Sequence, residues 1–492
     1  MISSATANRW RWLAFAAAVA AAVMDLLDST IAQVAAPAIQ RDLGGSYAVI
    51  EWITAAYTLA MAVGLLSGGR LGDLFGRKRM LLIGMAGFVA ASAACGAAVT
   101  PGQLIAARAV QGAAGAIMLP QVFGLIRDLF SGAEIGKAFA VFSPVMGLSA
   151  MLGPVASGGL ISANILGTGW RMIFLVNLPV GALALLAGAR LLPSGRSRDT
   201  RARLDLPGAA LAGTAMFLVV FPLVQGRALG WPLWLVAMLA AAVPVLAGFA
   251  WYQVRRQRAG ATPLIEPGIF ARRGYAPGVA FSVAFVGSMG GIVLVFNVFL
   301  QAGLGFSPWH SALTTAPWAA GAFVGSAAGG MSMARLGRRV LHAGLVVEAA
   351  GLLALGEVLH QAAASVTTLD LLAPMVVGGI GMGMVFVPLF DIVMAGVEPT
   401  EMGSASGVLQ AVNSLSMALG VAGLGSVFFG LLHATAGHAD AFVSAAQWTL
   451  IATVGLLASA FALGFGLPRH AREMTAPEAI TEPALEMAGA GA

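Results

Sequence analysis

A few ionisable side chains stand inside long apolar runs, where charge is costly, and they define the chemistry open to this chain. Asp25 and Asp28 lie in the run from Leu13 to Val34, Arg108 in the run from about 103, Glu348 and Glu357 in the run from 340, and Asp391 in the run from 371. Asp25 and Asp28 are three residues apart, so on a helix they share a face. Two carboxylates in low-dielectric surroundings cannot both ionise cheaply. The pair therefore reads as a candidate proton carrier, with Asp28 the one expected to release and take up the proton, although either aspartate, Asp25 more readily than Asp28, also reads as a structural hydrogen-bonding residue. An arginine at bilayer depth costs about 2.5 to 3.5 kcal/mol, so Arg108 needs a partner or a watery cavity. Gln111 and Gly115 follow it at helical spacing on the same face. Glu348, nearest the middle of its run, is the best second proton or cation site. Asp391 reads also as a solvated helix-end group, and Glu357 as a hydrated one.

The elements that must position these groups are membrane spans. Of 492 residues, 59% are hydrophobic and only 10% charged, with a mean hydropathy of +0.88, whereas soluble domains carry about 25% charged residues. Apolar runs recur from residue 12 to residue 467 with no polar domain between them. At about 20 residues per span they predict fourteen, starting near residues 12, 50, 80, 103, 138, 171, 206, 231, 274, 311, 340, 371, 404 and 446. The first run follows Arg9 and Arg11 but is too long for a signal peptide and carries two aspartates, so it reads as a retained span. The net charge of +6 is distributed along the chain, which argues against a nucleic-acid partner. It reports topology instead: with a cytoplasmic N-terminus, all 27 basic residues except Arg41, Arg171, Arg227 and the intramembrane Arg108 fall on the cytoplasmic side. The expectation is a multi-pass protein of the cytoplasmic (inner) membrane with both termini inside. The single cysteine, Cys95, cannot form an intrachain disulfide.

Residues 68 to 81 read GGRLGDLFGRKRML and residues 329 to 341 read GGMSMARLGRRVL, a weaker copy. Each follows one span and precedes the next, which implies a duplicated membrane unit with substrate held between the halves. Six spans at about 30 residues per span and loop repeat after roughly 180 residues, so two further spans fit between the halves. The division is 1–195 for an N-terminal six-helix bundle, 196–260 for an inserted helix pair, 261–470 for a C-terminal six-helix bundle, and 471–492 for a disordered cytoplasmic tail.

Several segments together resemble the major facilitator superfamily, in particular its fourteen-helix drug:proton antiporters, over nearly the whole chain. The loop holding Gly69, Asp73, Gly76, Arg77 and Lys78 is similar to the superfamily's signature between helices 2 and 3. The resemblance implies a cytoplasmic latch in which Asp73 caps a helix of the other half, here the one starting near Gly403, where the positive helix end favours an anion. The second copy has Ala334 in place of that aspartate. RAVQGAAGA, residues 108 to 116, resembles the family's fourth-helix motif. Gly147, Gly153, Pro154, Gly158 and Gly159 match the fifth-helix pattern associated with export rather than uptake. LDSTIAQVAAPAI, residues 27 to 39, resembles the first-helix motif, whose aspartate matches Asp28. WRMIFLVNLPVG, residues 170 to 181, and FNVFLQAGLGFSP, residues 296 to 308, resemble segments of the fourteen-helix subgroup. Gln111, Asn297, Gln301, Phe296, Trp318, Phe386 and Asp391 are candidate cavity residues, with packing the alternative for the aromatics.

No phosphate-cradling GxxxxGK[ST] is present, which argues against ATP as the driving force. The histidines show no metal-ligand spacing, and no residue set suggests hydrolysis. The fold class expected is therefore all-α polytopic: two pseudo-symmetric six-helix bundles with two extra spans between them. The function implied is proton-coupled efflux of amphipathic small molecules by alternating access, with no cofactor beyond the proton gradient and a monomer as the simplest assembly. A dedicated exporter of one metabolite or antibiotic would share every motif. An uptake symporter or a non-transporting receptor fits fewer of them.

Overall fold

The computed structural model describes residues 4–130, 133–193, 204–272, 274–362, 365–398, 401–434 and 440–469. The linker arginines Arg196, Arg198, Arg201 and Arg203 and the tail 471–492 lie outside them. The described residues form fourteen long helices and no strand. They are α1 (Ser4–Leu43), α2 (Ala48–Phe75), α3 (Arg77–Gly96), α4 (Pro101–Leu129) and α5 (Ala133–Ala163); α6 (Gly169–Leu191), entered through short 3-10 turns; α7 (Leu206–Leu229) and α8 (Leu233–Arg258); and α9 (Tyr275–Val298), α10 (Pro308–Leu336), α11 (Arg339–Ala362), α12 (Thr368–Met394), α13 (Met402–Ala434) and α14 (Ala441–Gly464). Twelve are long and apolar enough to cross a membrane by length and composition. The other two, α5 and α10, pack against each other.

Starts and stops follow ordinary helix chemistry. Thr100 accepts from the Gln103 amide ahead of Pro101, Asp205 from Gly208, and Ser307 from His310, so each caps a helix whose first amides lack partners. Thr367 and Asp370 form a reciprocal capping box for α12. The repeated loop is turned by glycine in both halves: Gly76 has φ 92° and Gly337 φ 53°, a region that penalises any side chain. Each of these amides donates back to the fourth residue before it, Gly72 O at 2.9 Å and Met333 O at 2.8 Å. The following arginines do equivalent work. Arg77 donates to Gly124 O at 2.7 Å and Asp128 at 3.0 Å, and Arg338 to Phe465 O and Leu467 O at 2.6 and 2.8 Å. The duplication read in the sequence is thus a duplication of structure.

Helices α1 to α6 and α9 to α14 form the two halves. The inserted α7 lies against α2 and α13, one helix from each half, with α8 packed on its flank. Only 11% of the most apolar window of α8 is buried, as expected for a helix that faces lipid on most sides. The inserted pair is anchored at the arginine-rich end. Asp205 accepts from Tyr252 at 3.0 Å and Gln253 at 3.1 Å, with Arg256 at 3.5 Å, and Gln253 in turn accepts from the Leu264 amide at 2.7 Å. Burial opposes the Asp205 anion, but the hydrogen bonds from Gln253, the Gly208 amide and Tyr252, together with Arg256, hold its carboxyl below the usual range.

Candidate functional site

The intramembrane charges of the N-terminal half meet in one buried cluster. Arg108 on α4 is fully buried, as is Asp28 on α1, and the guanidinium Nη1 donates to Asp28 Oδ2. Arg108 Nε donates to Ile53 O at 3.1 Å, and Nη1 to Gln111 Oε1 at 2.8 Å. Gln111 Nε2 then donates to Asp28 Oδ1 at 2.9 Å and to Ser92 Oγ at 2.9 Å. Asn177 on α6 makes the same pair of bonds, at 2.8 and 2.9 Å. The guanidinium also lies 4.2 Å from the centre of the Tyr57 ring, a favourable cation–π distance. Five helices, α1 to α4 and α6, thus surround one ion pair. Each Asp28 oxygen is occupied by donors, which makes this a well-satisfied buried carboxylate, while Arg108 Nη2 has no hydrogen-bond partner among the described residues.

Asp25, one turn earlier on α1, has a different setting. It is 6% exposed, and the donor it receives is the Tyr57 hydroxyl. A Cβ on Gly115 would stand 2.6 Å from its Oδ1, so the glycine of the fourth-helix motif leaves room for this carboxyl. Asn177, Ser92 and Tyr57 were not singled out by sequence reasoning, because polar residues in apolar helices give no sign of what they touch.

The fifth-helix motif packs on both sides. Gly153 faces Thr30 of α1, with no space for a Cβ, and a Cβ on Gly158 would lie 2.6 Å from Ala312 Cβ and 2.7 Å from Pro308 O of α10. Gly159 approaches the Trp309 ring, and Pro154 is half-buried. Gly147 has its surroundings outside the described residues. At the repeated loop, Gly69 is exposed, Asp73 lies 3.5 Å from Arg77, and Lys78 donates to Ala189 O and Leu192 O at 2.8 and 2.7 Å. The surroundings of Gly403 and Ala334 also lie outside the described residues.

In the C-terminal half the candidates separate. Glu348 is buried where α11 crosses Gly381 of α12, and its Oε2 has no hydrogen-bond partner among the described residues. Gln301 sits in a π turn, Phe299–Gly303, that follows α9, a local unwinding common at functional positions. Its amide donates to Val34 O of α1 at 2.8 Å. Asn297 bonds Val293 O and Ser311, and Phe296 is buried in the core. Trp318 is half-buried, with its indole nitrogen 3.2 Å from the Met382 sulfur. Phe386 and Asp391 are exposed on α12, and Glu357 is exposed on α11 with Gln361 donating to it at 2.7 Å. Described contacts between the halves concentrate at the arginine-poor end: α1 with α9 at Gln301, α5 with α10 at Gly158, and α2 with α13 at Gly425.

This architecture is that of membrane transporters. It superimposes on an auto-inhibited POT family peptide transporter with a TM-score of 0.67 at 15% identity, over 94% of this chain and 98% of that one. It also matches a bacterial homolog of the human lysosomal transporter Spinster, in an inward-facing and occupied conformation, at 0.61 and 17% identity over 93% and 96%. A family model described as Major Facilitator Superfamily matches residues 13–421, and the chain belongs to that superfamily. It is 46% identical over 423 residues to a probable actinorhodin transporter of Streptomyces coelicolor, covering 86% of this chain and 73% of that protein. It is 36% identical to the puromycin resistance protein pur8 of Streptomyces alboniger, covering 92% and 89%. A tetracenomycin C resistance and export protein of Streptomyces glaucescens is 33% identical, covering 84% and 75%.

Proposed function

We propose that this protein is an antiporter of the cytoplasmic membrane, with both termini inside, that exports amphipathic antibiotics or other toxic small molecules as protons move inward. The observation that carries the reading is the pairing of a locked ion pair, Asp28 with Arg108, and a second carboxyl, Asp25, that lacks such saturation. Saturated groups make poor proton carriers, because taking up a proton would strand the guanidinium in the bilayer. Asp25 exchanges the proton, Asp28 and Arg108 hold α1 against α4 and α6, and Glu348 serves as a second acid in the other half. Asp73 and Arg77 close the cytoplasmic end. Gln111 belongs to the fixed network, while Gln301 reaches from the C-terminal half towards α1.

Inside-out vesicles carrying the protein, energised so that their lumen is acidic, test the mechanism. An exported compound should discharge the pH gradient in the wild type and leave it intact in Asp25→Asn. Loss of discharge only in variants of the fixed network, with Asp25→Asn unaffected, would remove Asp25 from the mechanism. A narrower reading, a dedicated exporter of one home-made antibiotic, is favoured by the relatives whose names each specify a single compound. A substrate panel separates the two: one compound conferring protection supports the narrow reading, several unrelated ones the broad reading.

A further inference from the structure

The first turn of α2 holds an acid that neither the proton site nor the repeated loop uses. Glu51 is fully buried, and neither of its carboxylate oxygens accepts a hydrogen bond among the described residues. Its partner comes from the inserted pair: Arg227, in the last turn of α7, places Nη2 3.7 Å from Glu51 Oε1. The same guanidinium lies 4.9 Å from the centre of the Phe429 ring on α13, and Phe429 stacks on Tyr47 at the entrance to α2, at 4.6 Å. One turn before Phe429, Gly425 lets α13 pass the carboxylate, since a Cβ there would stand 2.7 Å from Oε1. Ser426 donates to Leu223 O of α7 at 2.8 Å. Two residues of the N-terminal half, two of the inserted pair and three of the C-terminal half therefore converge at the arginine-poor end.

A buried carboxylate without hydrogen bonds is costly unless a cation stands beside it, and here that cation is supplied by a helix that belongs to neither half. Such a contact adds little when made but costs much when one member is removed, which suits a junction that forms in one state and parts in another. We infer that Arg227 and Glu51 form a latch through which the inserted helix pair holds the two halves together when the arginine-poor end is closed. The inference rests on the alternating-access reading above. It assigns the inserted pair a part in transport and makes Arg227 a positioning residue.

Distances between spin labels on the exposed Ser46→Cys and Ala434→Cys, in a Cys95→Ser background, report closure of that end directly in the reconstituted full-length protein. Wild type should show mainly the short distance. Arg227→Met and Glu51→Gln should each raise the ratio of long to short by roughly fivefold or more, the usual scale of a coupling between sites. Arg227→Lys, which keeps the charge, should stay near wild type. An unchanged distribution in Arg227→Met, or an Arg227→Lys distribution as shifted as that of Arg227→Met, would overturn the latch. Because the measurement needs neither drug nor a proton gradient, failure of proton-driven export in vesicles would leave this outcome independently readable.

Discussion

Asp28 and Arg108 are coupled so closely that removing either charge strands the other among apolar helices. Breaking a buried pair from one side costs roughly 3 to 5 kcal/mol, whereas removing both charges together costs far less. Asp28→Asn and Arg108→Gln should therefore each lower thermal stability in detergent sharply, and the double variant should recover much of the loss although it does not transport. Additive losses in the melting curves would mean the pair is not the keystone its geometry implies. Asp25→Asn should behave differently. Its amide oxygen can still accept from the Tyr57 hydroxyl, so the protein should fold almost normally yet fail to exchange protons. Much of this cluster is legible in the sequence, because Asp28, Arg108 and Gln111 are conspicuous in runs that otherwise exclude charge. Asn177 and Ser92 are not legible: their importance lies in facing Asp28 from α6 and α3, which only the packing of the helices decides. Glu51 escapes for another reason. It sits in the first turn of α2, where its type and place in the sequence give no sign that α7 and α13 cover it.

At the scale of elements, glycine sets how closely helices approach. A Cβ on Gly112 would collide with the backbone of Tyr57, whereas one on Gly455 would meet nothing within 4 Å. Gly112→Ala should thus push α4 away from α2 and cost about 1 to 3 kcal/mol. Gly455→Ala should be neutral or gain up to about 1 kcal/mol from helix propensity; unfolding curves of the two variants give the comparison directly. The base of α7 offers a test in pH. Asp205 lies outside the spans with its carboxyl held below the ordinary aspartate value of 3.8, so its contribution is present above that value and lost as pH falls through the lower folded value. Asp205→Ala should destabilise by about 1 to 2 kcal/mol near neutrality, and the gap from wild type should close in strong acid. A gap that persisted there would assign the loss to packing rather than to the charge. The number and order of helices follow from apolar length and the duplicated loop. Which helices touch does not, because α7 could have lain on either half, and its seat between α2 and α13 depends on contacts such as Ser426 with Leu223.

For the molecule as a whole, the function proposed above takes its direction from the alternation of basic residues and its coupling to protons from the buried acids. A proton moving inward down 100 mV contributes about 2.3 kcal/mol, enough for a gradient of roughly fiftyfold at 1.4 kcal/mol per decade. That contribution depends on the charge carried outward. Exchange of one proton for one neutral molecule moves a net charge, so the membrane potential assists export. Exchange of one proton for one monocation moves none, and only the pH gradient remains. In energised vesicles, collapsing the potential with a potassium ionophore should therefore reduce accumulation of a neutral substrate while sparing a monocation, and collapsing the pH gradient should reduce both. If both acids, Asp25 and Glu348, carry protons in each cycle, the monocation too should become sensitive to the potential, and Glu348→Gln should abolish that sensitivity while leaving some export. Accumulation indifferent to loss of both the potential and the pH gradient would exclude proton drive altogether, whatever the compound carried.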